Sequence, residues 1–516
     1  MKVITGKEAV NLIKSGSTVA VGGFVGFGVP EEILAALEEK FLASGTPEKL
    51  NLVWCAGIGD RGDRGMNHLG HEGLVARVYA GHIGLAPKLG KLIAEEKVEC
   101  FIVPQGVITH LLRATAGGKP GVLTHVGLKT YADPRVEGCR ANSVTRGEVV
   151  ELMSIGGKEW LFYKALSLDV AVVRGTTADT RGNITMEKEA LFLEQISIAS
   201  CVKNNGGIVI AQVERLTEHG TLKPQQVKLP GVMVDYVVVA DPKNHPQGFF
   251  GPEYNPAFSG ETRVPLDSLP AMPLNERKIC ARRAAMELTP GALVNLGIGV
   301  SEGVANVAAE EGVAEEITLT IESGTIAGIP AGGLGIGACT NPDSIIDQAY
   351  QFDFYDGGGV DIAYLGLAEA DMHGNLNVSK FGGRVVGPGG FINISQNAKA
   401  VIYCGTFTAG GLKTSVADGK LRIDVEGKSK KFIKQVEQIT FSGEYAASVG
   451  QKVMFVTERA VFELREEGMV LTEIAPGISL EKDVLAQMEF RPVISGQLRE
   501  MDGRIFQDRL MGLKLK

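Results

Sequence analysis

The chain has 516 residues, of which 44% are hydrophobic and 67 are glycine. Its length predicts about two to four domains with large cores. The formal net charge of −8 comes without a basic stripe, which argues against a nucleic-acid-binding surface. The glycine excess follows no collagen-like period, so it indicates many tight turns and close backbone approaches.

The cysteines and the N-terminal residues indicate the cellular compartment in which the protein works. The seven cysteines are scattered and form no C-x-x-C pair, which predicts reduced, mostly buried thiols. The first eight residues lack the apolar stretch of a signal peptide. The uncharged stretch 323–342 has the length of a membrane span, but six glycines and Pro330 identify it as a loop. We therefore expect a cytoplasmic protein with no membrane partner.

The first half begins with a helix, a strand and a glycine loop. Thr5 and Glu8 have the spacing of a capping box, which predicts a short helix. A strand is predicted over 17–21, followed by the glycine loop 22–28. The next strand is predicted over 50–55. This order of elements is typical of an α/β domain.

The same order recurs in the second half of the chain. A helix is predicted over 275–288 and a strand over 292–296, followed by a glycine loop at 297–299. We expect Ser301 to cap the next helix. The strand predicted over 317–321 leads directly into Glu322.

A second pair of segments supports an internal repeat. The residues 169–185 resemble the residues 361–377, and each segment contains an Ala-Asp-x-x-Gly-Asn run. Two matched pairs in the same order indicate divergent copies of one domain. Because strands alternate with helices in both copies, the fold class is predicted as α/β, with two related domains and mostly parallel sheets.

A proline-rich stretch separates the copies. Seven of the 21 prolines fall between Pro242 and Pro273. Residues 242–274 are therefore predicted to be an extended linker between an N-terminal domain, 1–241, and a C-terminal domain, 275–516.

Glu322 is the first candidate for chemistry. Ligand crevices of open α/β sheets lie at the carboxyl ends of the strands, where Glu322 is expected. A carboxylate there is a candidate nucleophile, although it could instead only cap a helix. The matching position of the first half is Cys55, so the two copies differ chemically.

Two other motifs suggest a nicotinamide cofactor or a metal ion, but neither has the required spacing. The glycine loop from Gly297 to Gly303 imitates a dinucleotide-binding fingerprint, but its G-x-G-x-x-x-G spacing is wrong, so a nicotinamide-dependent oxidoreductase is a remote alternative. His68 and His71 suggest a metal site, but no third ligand lies at a matching spacing. We therefore predict no metal.

Neutral hydrogen-bond donors are predicted at two further places. Gln105 follows the strand predicted over 99–103, and its amide could donate to an oxyanion or belong to an ordinary turn. The glycine run from Gly387 to Gly390 follows Lys380 and Arg384, so exposed backbone amides lie near cations in the sequence. Such amides can bind an oxyanion or an anionic cofactor.

Taken together, the motifs resemble those of a known family. The chain resembles the family I coenzyme A transferases, and most closely their propionate/acetate branch, which acts on short-chain acyl-CoAs. Glu-Ser-Gly differs from the Glu-Asn-Gly of the 3-oxoacid branch. The resemblance covers essentially the whole chain and is carried by Glu322-Ser-Gly, Gly22-Gly-Phe, Pro104-Gln-Gly and the stretches 355–361, 377–381 and 387–391.

The resemblance implies roles for individual residues. Glu322 would be the catalytic glutamate, which forms a glutamyl-CoA thioester, and Gln105 would lie near the oxyanions. The residues implied to form a mobile loop over the reacting carbonyl are Gly23, Phe24, Val25 and Gly26. Those implied to bind the oxyanions or the coenzyme are Gly387, Gly389, Gly390 and Lys380.

The resemblance also implies an activity and an assembly. Coenzyme A would be a substrate, held covalently during turnover, with no tightly bound cofactor, and the chain would form a homodimer or homotetramer. An acyl-CoA hydrolase on the same scaffold is the alternative enzyme, and a non-catalytic ligand sensor on a sugar-phosphate-isomerase-like fold is the non-enzymatic one. Acetate, propionate, lactate, acrylate and butyrate all remain candidate acids.

Overall fold

A computed structural model describes residues 1–265 and 272–515, so part of the predicted linker, 266–271, lies outside the described residues. The chain forms two compact units, each built from several segments. The first comprises Met1–Val264, Glu322–Asp353 and Phe381–Asn393; the second comprises Pro265–Ile321, Phe354–Lys380 and Ile394–Lys516. The domain boundaries drawn from the sequence, which assumed contiguous segments, remain a prediction.

The first unit contains an eight-stranded sheet in which all neighbouring strands are parallel. The strands are short and rich in β-branched residues, and the central ones are buried on both faces, as expected of parallel sheets. Their carboxyl ends meet at one edge, where ligands bind in such folds. In spatial order the strands are Lys2–Ile4, Tyr236–Val239, Ile208–Val213, Val170–Arg174, Thr18–Val21, Leu50–Trp54, Val75–Ala80 and Glu99–Ile102.

Helices and two small sheets complete this unit. The helices are Gly6–Val10, Glu31–Ser44, Pro87–Ala94, Gln105–Ala116, Gln195–Asn204 and Pro256–Ser259. One small sheet contains Arg215–Thr217, Thr177–Asp179, Ile184–Thr185 and Val227–Leu229; the other contains Gly121–Thr124, Lys158–Lys164 and Val150–Ile155.

The second unit has its own run of eight neighbouring strands. The first five are parallel, and the remaining pairs are antiparallel, antiparallel and parallel. In spatial order they are Thr318–Thr320, Leu293–Leu296, Ile362–Gly366, Ala400–Cys404, Lys452–Val456, Ala460–Arg465, Gly468–Ile474 and Val493–Glu500. Its helices include Glu276–Ala285, Gly303–Glu310 and Gly443–Ser448, and two further helices of the chain span Gln348–Asp356 and Phe391–Asn397.

The predicted internal repeat is visible in matching hydrogen bonds. In the first unit the Thr18 N–H donates to Asp169 Oδ2 at 2.8 Å. In the second unit the Leu293 N–H donates to Asp361 Oδ2, also at 2.8 Å. Each aspartate thus receives the first amide of the corresponding strand, so the two copies share the same local contact.

The second repeated segment forms the same turn in both copies. Asp179 Oδ1 accepts from the Arg181 and Asn183 N–H groups, while Asp371 Oδ1 accepts from the corresponding N–H groups of His373 and Asn375. Such aspartate turns stabilise tight reversals. Together with the mostly parallel sheets, they confirm the predicted α/β fold with two related domains.

Local predictions were partly right. The capping box of Thr5 and Glu8 is confirmed, with both reciprocal hydrogen bonds present. The predicted cap at Ser301 is wrong, because its hydroxyl donates to the Gly297 and Ile298 carbonyls and the helix begins only at Gly303. All seven cysteines are free and buried. None of the described helices is long and apolar enough to cross a membrane.

A buried ion pair anchors the end of the glycine loop 22–28. Arg174 donates from Nε to Glu189 at 3.0 Å and from a terminal nitrogen to the Val29 carbonyl at 3.2 Å. Both charged residues are at most 3% exposed. Burial opposes ionisation, but Arg174 and His245 together hold the pKa of Glu189 below its ordinary value.

We predict that Arg174→Met lowers the free energy of unfolding by about 3–5 kcal/mol, because it leaves the Glu189 charge buried and unpaired. Denaturant unfolding measures the loss. The double variant Arg174→Met/Glu189→Gln removes the stranded charge and is expected to recover much of that stability. A single variant within about 0.5 kcal/mol of the unmodified protein would contradict this role.

Candidate active site

The turn after Glu322 is held rigidly. The Ser323 hydroxyl donates to the Gly337 carbonyl at 2.8 Å, and the Ile346 N–H donates to the Gly324 carbonyl at 2.9 Å. Gly324 has φ +110°, and a Cβ there would lie 2.1 Å from the Ile346 carbonyl oxygen. Only glycine fits this position, so the Ser-Gly of the motif fixes where Glu322 is presented.

The Glu322 carboxylate is desolvated but unpaired. Burial raises the pKa of Glu322 to about 7, and a hydrogen bond from its own backbone opposes the shift. No neighbouring charge among the described residues contributes. The side chain is nevertheless partly exposed, so a reactant can reach it. A carboxylate with this raised pKa is more basic than an ordinary glutamate.

The glycine loop 22–28 carries backbone strain at Val25. This β-branched residue has φ +56°, a conformation that costs about 1–3 kcal/mol and persists only where the surroundings impose it. Here the Val25 N–H donates to the Gly57 carbonyl at 2.6 Å, and the Val25 carbonyl accepts from the Gly59 N–H at 2.8 Å. Such strain is concentrated at functional sites.

The same loop packs against the neutral stretch that follows Glu322. Phe24, Val25, Leu191 and Ala338 belong to one buried apolar cluster. A Cβ on Gly337 would lie 2.8 Å from the Phe24 ring. Since Gly337 also accepts the Ser323 hydroxyl, the structure brings the implied loop residues Gly23 to Gly26 together with the Glu322 turn. Motion of this loop stays a prediction.

Gln105 begins the helix Gln105–Ala116, directly after a strand of the parallel sheet. Its side chain is 1% exposed, and its Nε2 has no hydrogen-bond partner among the described residues. Its N–H donates to the Gly389 carbonyl at 3.2 Å. A buried donor without a partner requires an explanation, and a bound oxyanion is one.

The glycine run from Gly387 to Gly390 wraps around Gly81 beside Gln105. The Gly389 N–H donates to the Gly81 carbonyl at 2.9 Å, so this amide is already in use. The Gly390 N–H has no acceptor among the described residues. Of the two amides expected near an oxyanion, only that of Gly390 is therefore available.

Lys380 differs from the other predicted residues because it belongs to the second unit. Its N–H donates to Asn377 Oδ1 at 3.1 Å, and its carbonyl accepts from Asn377 Nδ2. These bonds close a turn that ends at Lys380, the first residue of the strand Lys380–Phe381. A role in binding coenzyme A stays a prediction.

His82 is a residue that sequence reasoning missed. Its Nδ1 is buried without a partner, and a Cβ on Gly57 would lie 2.4 Å from that atom. Burial, helped by Arg61, lowers the pKa of His82 to about 4. The imidazole is therefore neutral at pH 7 and adds no charge beside the glycine loop.

Three more buried polar side chains were missed. Glu194, Gln348 and Gln351 are fully buried, and their side-chain oxygen and nitrogen atoms have no hydrogen-bond partner among the described residues. Glu194 is the single acid after the apolar run 190–193, and that isolation was a usable signal in the sequence.

The two histidines considered as metal ligands have a different role. His68 lies 2.9 Å from Glu31 Oε1, and His71 lies 2.6 Å from Glu38 Oε1. These contacts tie the turn to the helix Glu31–Ser44. Within 1–265 and 272–515, no group of three or more His, Cys, Asp or Glu side chains could hold a metal ion.

Comparisons with known proteins agree with this arrangement. The coenzyme A transferase family model matches residues 3–240. The chain is 50% identical over 517 residues to the caffeate CoA-transferase of Acetobacterium woodii, covering 99% of this chain and 98% of that protein. It is 45% identical to the acetate CoA-transferase YdiF of Escherichia coli strain K12, covering 99% and 96%.

Solved structures show the same similarity to CoA-transferases. The crystal structure of the acyl-CoA transferase YdiF apoenzyme from Escherichia coli O157:H7 has a TM-score of 0.95 and 44% identity, covering 100% of this chain and 98% of that one. A thioester complex of the same protein with CoA has a TM-score of 0.94. The chain therefore belongs to the coenzyme A transferase family and is an enzyme of the CoA-transferase type.

Proposed function

We propose that the enzyme transfers coenzyme A between a short-chain acyl-CoA and a free short-chain carboxylate by a ping-pong mechanism, with Glu322 as the nucleophile. The observation that carries the proposal is the Glu322 carboxylate, which is desolvated and has no ionic partner among the described residues. A cation beside it would lower its basicity, whereas burial alone raises it.

The covalent steps begin at the thioester. A Glu322 oxygen attacks the acyl carbonyl, the carbon–sulfur bond breaks, and coenzyme A leaves as a thiolate with the bonding electrons. The thiolate then attacks the glutamyl carbonyl of the mixed anhydride, which releases the carboxylate and leaves a Glu322 thioester. An acceptor carboxylate runs the same steps in reverse. No external proton donor is needed, because thiolate and carboxylate are adequate leaving groups.

Each tetrahedral intermediate carries an oxyanion that needs donors. Two candidate donors on this chain have no acceptor among the described residues: Gln105 Nε2 and the Gly390 N–H. Gly390 follows Gly389 in the sequence, and the Gln105 N–H donates to the Gly389 carbonyl. In a site that excludes water, one such donor contributes about 3–4 kcal/mol to the transition state. Neutral donors suit this task because they do not form an ion pair with Glu322.

Exclusion of water separates transfer from hydrolysis. An acyl-CoA hydrolase on the same scaffold would need water to reach the anhydride or the thioester. The buried loop 22–28 packs against the neutral stretch after Glu322. This position favours transfer, because a loop there can shield the intermediates from water.

The acid itself is proposed from the family branch. The relatives are named for acids as different as acetate and caffeate. The size of the acid that the enzyme accepts is therefore the quantity to measure. We propose acids of two to four carbons. We further propose that the enzyme works in the cytoplasm as a homodimer or homotetramer, and that Gly387 and Lys380 contribute to binding the anionic coenzyme. Ranking kcat/KM for acetate, propionate, butyrate and caffeate tests the size limit.

We predict that incubation with acetyl-CoA, without an acceptor acid, leaves coenzyme A on the peptide that contains Glu322. Intact-mass measurement and peptide mapping detect the adduct. Glu322→Gln is expected to lose the adduct and several orders of magnitude of transfer, because an amide is a poor nucleophile. Glu322→Asp is also expected to fail, because one methylene less misplaces the attacking oxygen.

The matched control is Glu466→Gln, a change at an exposed glutamate in a turn, which should keep both adduct and transfer. An active protein without an adduct would exclude the proposed mechanism. Acetyl-CoA consumed faster than acceptor-dependent product appears would favour the hydrolase.

We predict that kcat/KM for the acyl-CoA falls as the pH drops below about 7. The pKa of Glu322 is raised to about 7, so below this value the protonated form dominates and cannot attack. Because kcat/KM reports the free enzyme, its acid limb reflects this group. An acid limb at the ordinary glutamate value, about 4.3, would mean that Glu322 is not desolvated during turnover.

We predict that Gln105→Ala lowers kcat by about a hundredfold or more, since it removes one oxyanion donor. Steady-state kinetics at saturating substrate measure the effect. Gln225→Ala, at an exposed position, serves as the control. A loss confined to KM would instead assign Gln105 to ground-state binding.

A further inference from the structure

A second buried acid lies close to the Glu322 turn. Glu194 is 0% exposed, and neither carboxyl oxygen accepts or donates a hydrogen bond of ordinary geometry among the described residues. Its neighbours are the Cys55 thiol, a weak hydrogen-bond donor to the carboxyl group, and the Asp347 carboxylate. A buried carboxyl whose only donor is a thiol is incompletely satisfied, which calls for a ligand or another group beside it.

The distance to the nucleophile is limited by one short segment. The Ile346 N–H donates to the Gly324 carbonyl at 2.9 Å, and the Gln348 N–H donates to the Leu193 carbonyl at 3.0 Å. Two residues of extended chain span at most about 7 Å, so the Gly324 and Leu193 carbonyl oxygens lie within about 13 Å of each other. Glu322 precedes Gly324 by two residues and Glu194 directly follows Leu193, so the two acids lie on neighbouring segments of the first unit.

We propose that Glu194 is a further substrate-binding residue, whose neutral carboxylic acid donates a hydrogen bond to an oxygen of the carboxylate that reacts at Glu322. This inference rests on the proposed function, and it requires the predicted movement of the loop 22–28, because Glu194 is 0% exposed and that loop packs on its neighbours Leu193 and Gln195. It identifies the group that holds an anionic substrate in a site where the nucleophile has no cation beside it.

A neutral acid suits this task better than a basic residue. The reacting acid is an anion, and a lysine or arginine would bind it but would also pair with Glu322. A protonated carboxyl donates a strong hydrogen bond without adding positive charge, and other enzymes keep an acid neutral at pH 7 for this purpose. The neutral surroundings of Glu322 are thereby preserved.

The surroundings of Glu194 keep its proton in place. Burial, with the like charge of Asp347, raises the pKa of Glu194 to about 8. Asp347 Oδ1 accepts from the Ala349 N–H at 2.9 Å at the start of the helix Gln348–Asp356. Burial raises the pKa of Asp347; of the nearby charges, Arg113 lowers that pKa and Asp353 raises it. Burial holds the pKa of the Cys55 thiol well above its ordinary value, so Cys55 stays neutral.

The test uses kcat/KM for the free acid, here acetate, measured against the enzyme already carrying coenzyme A. In that form Glu322 carries coenzyme A as a thioester and no longer titrates, so an alkaline limb near pH 8 reports Glu194. Glu194→Leu is expected to raise KM for acetate about tenfold to a hundredfold, the loss of one hydrogen bond to a charged group. Glu194→Gln keeps a neutral donor and is expected to abolish the alkaline limb.

Asp347→Asn is the directional variant. Asparagine can still accept the Ala349 N–H, while the loss of the like charge should move the alkaline limb to lower pH. An unchanged limb in Glu194→Gln, or a KM for acetate unaffected by Glu194→Leu, would overturn the assignment. The coenzyme A adduct on Glu322 is scored in the same samples, so failure of the proposed function, which abolishes the adduct, is distinguished from failure of this inference, which does not.

Discussion

The site depends on one electrostatic constraint: a carboxylate must be taken out of water without being given a counterion. Burial of a charge is unfavourable and is usually offset by an ion pair. The Arg174–Glu189 pair shows how this chain does that elsewhere, with a buried guanidinium holding a buried carboxylate. At Glu322 no such partner is present among the described residues, and the cost appears instead as a pKa raised to about 7. The same free energy that disfavours the charged form makes its oxygen a stronger nucleophile.

Much of the surrounding structure follows from that constraint. If cations are excluded, developing negative charge must be met by neutral donors, and backbone amides and carboxamides are the neutral donors a chain has. This accounts for the glycines: at Gly324 and Gly387 a Cβ would collide with a carbonyl oxygen, so only glycine allows the backbone to approach closely. The strained φ of Val25, held by hydrogen bonds to Gly57 and Gly59, belongs to the same arrangement. A neutral His82 keeps its neighbourhood uncharged as well.

The sequence predicted these features unequally, for physical reasons. Strand periodicity and the aspartate turns are local, so the repeat, the α/β class and the position of Glu322 after a strand could be read directly. The Ser301 cap failed because a serine hydroxyl can satisfy either helix N–H groups or loop carbonyls, and only tertiary context decides. Among the described residues, the Gly389 amide is occupied and that of Gly390 is not, because Gly81, about 300 residues away in the chain, accepts only from Gly389. Burial, and hence the pKa values of Glu194 and His82, depends on such long-range contacts; the apolar run before Glu194 hints at burial, whereas His82 has no local signal.

The repeat also explains why only one copy carries the nucleophile. Cys55 occupies the position in the first copy that Glu322 occupies in the second. Two ionised carboxylates in one small site would repel each other and the incoming acid anion, so a second glutamate at Cys55 would oppose the reaction. A thiol whose pKa is raised by burial remains neutral there. It lies beside Glu194, whose carboxyl group, with a pKa raised to about 8, also stays protonated at neutral pH. In this interpretation, divergence of the copies separated the two tasks: one strand end keeps the charge that attacks, and the other keeps neutral groups that receive the charge of the substrate.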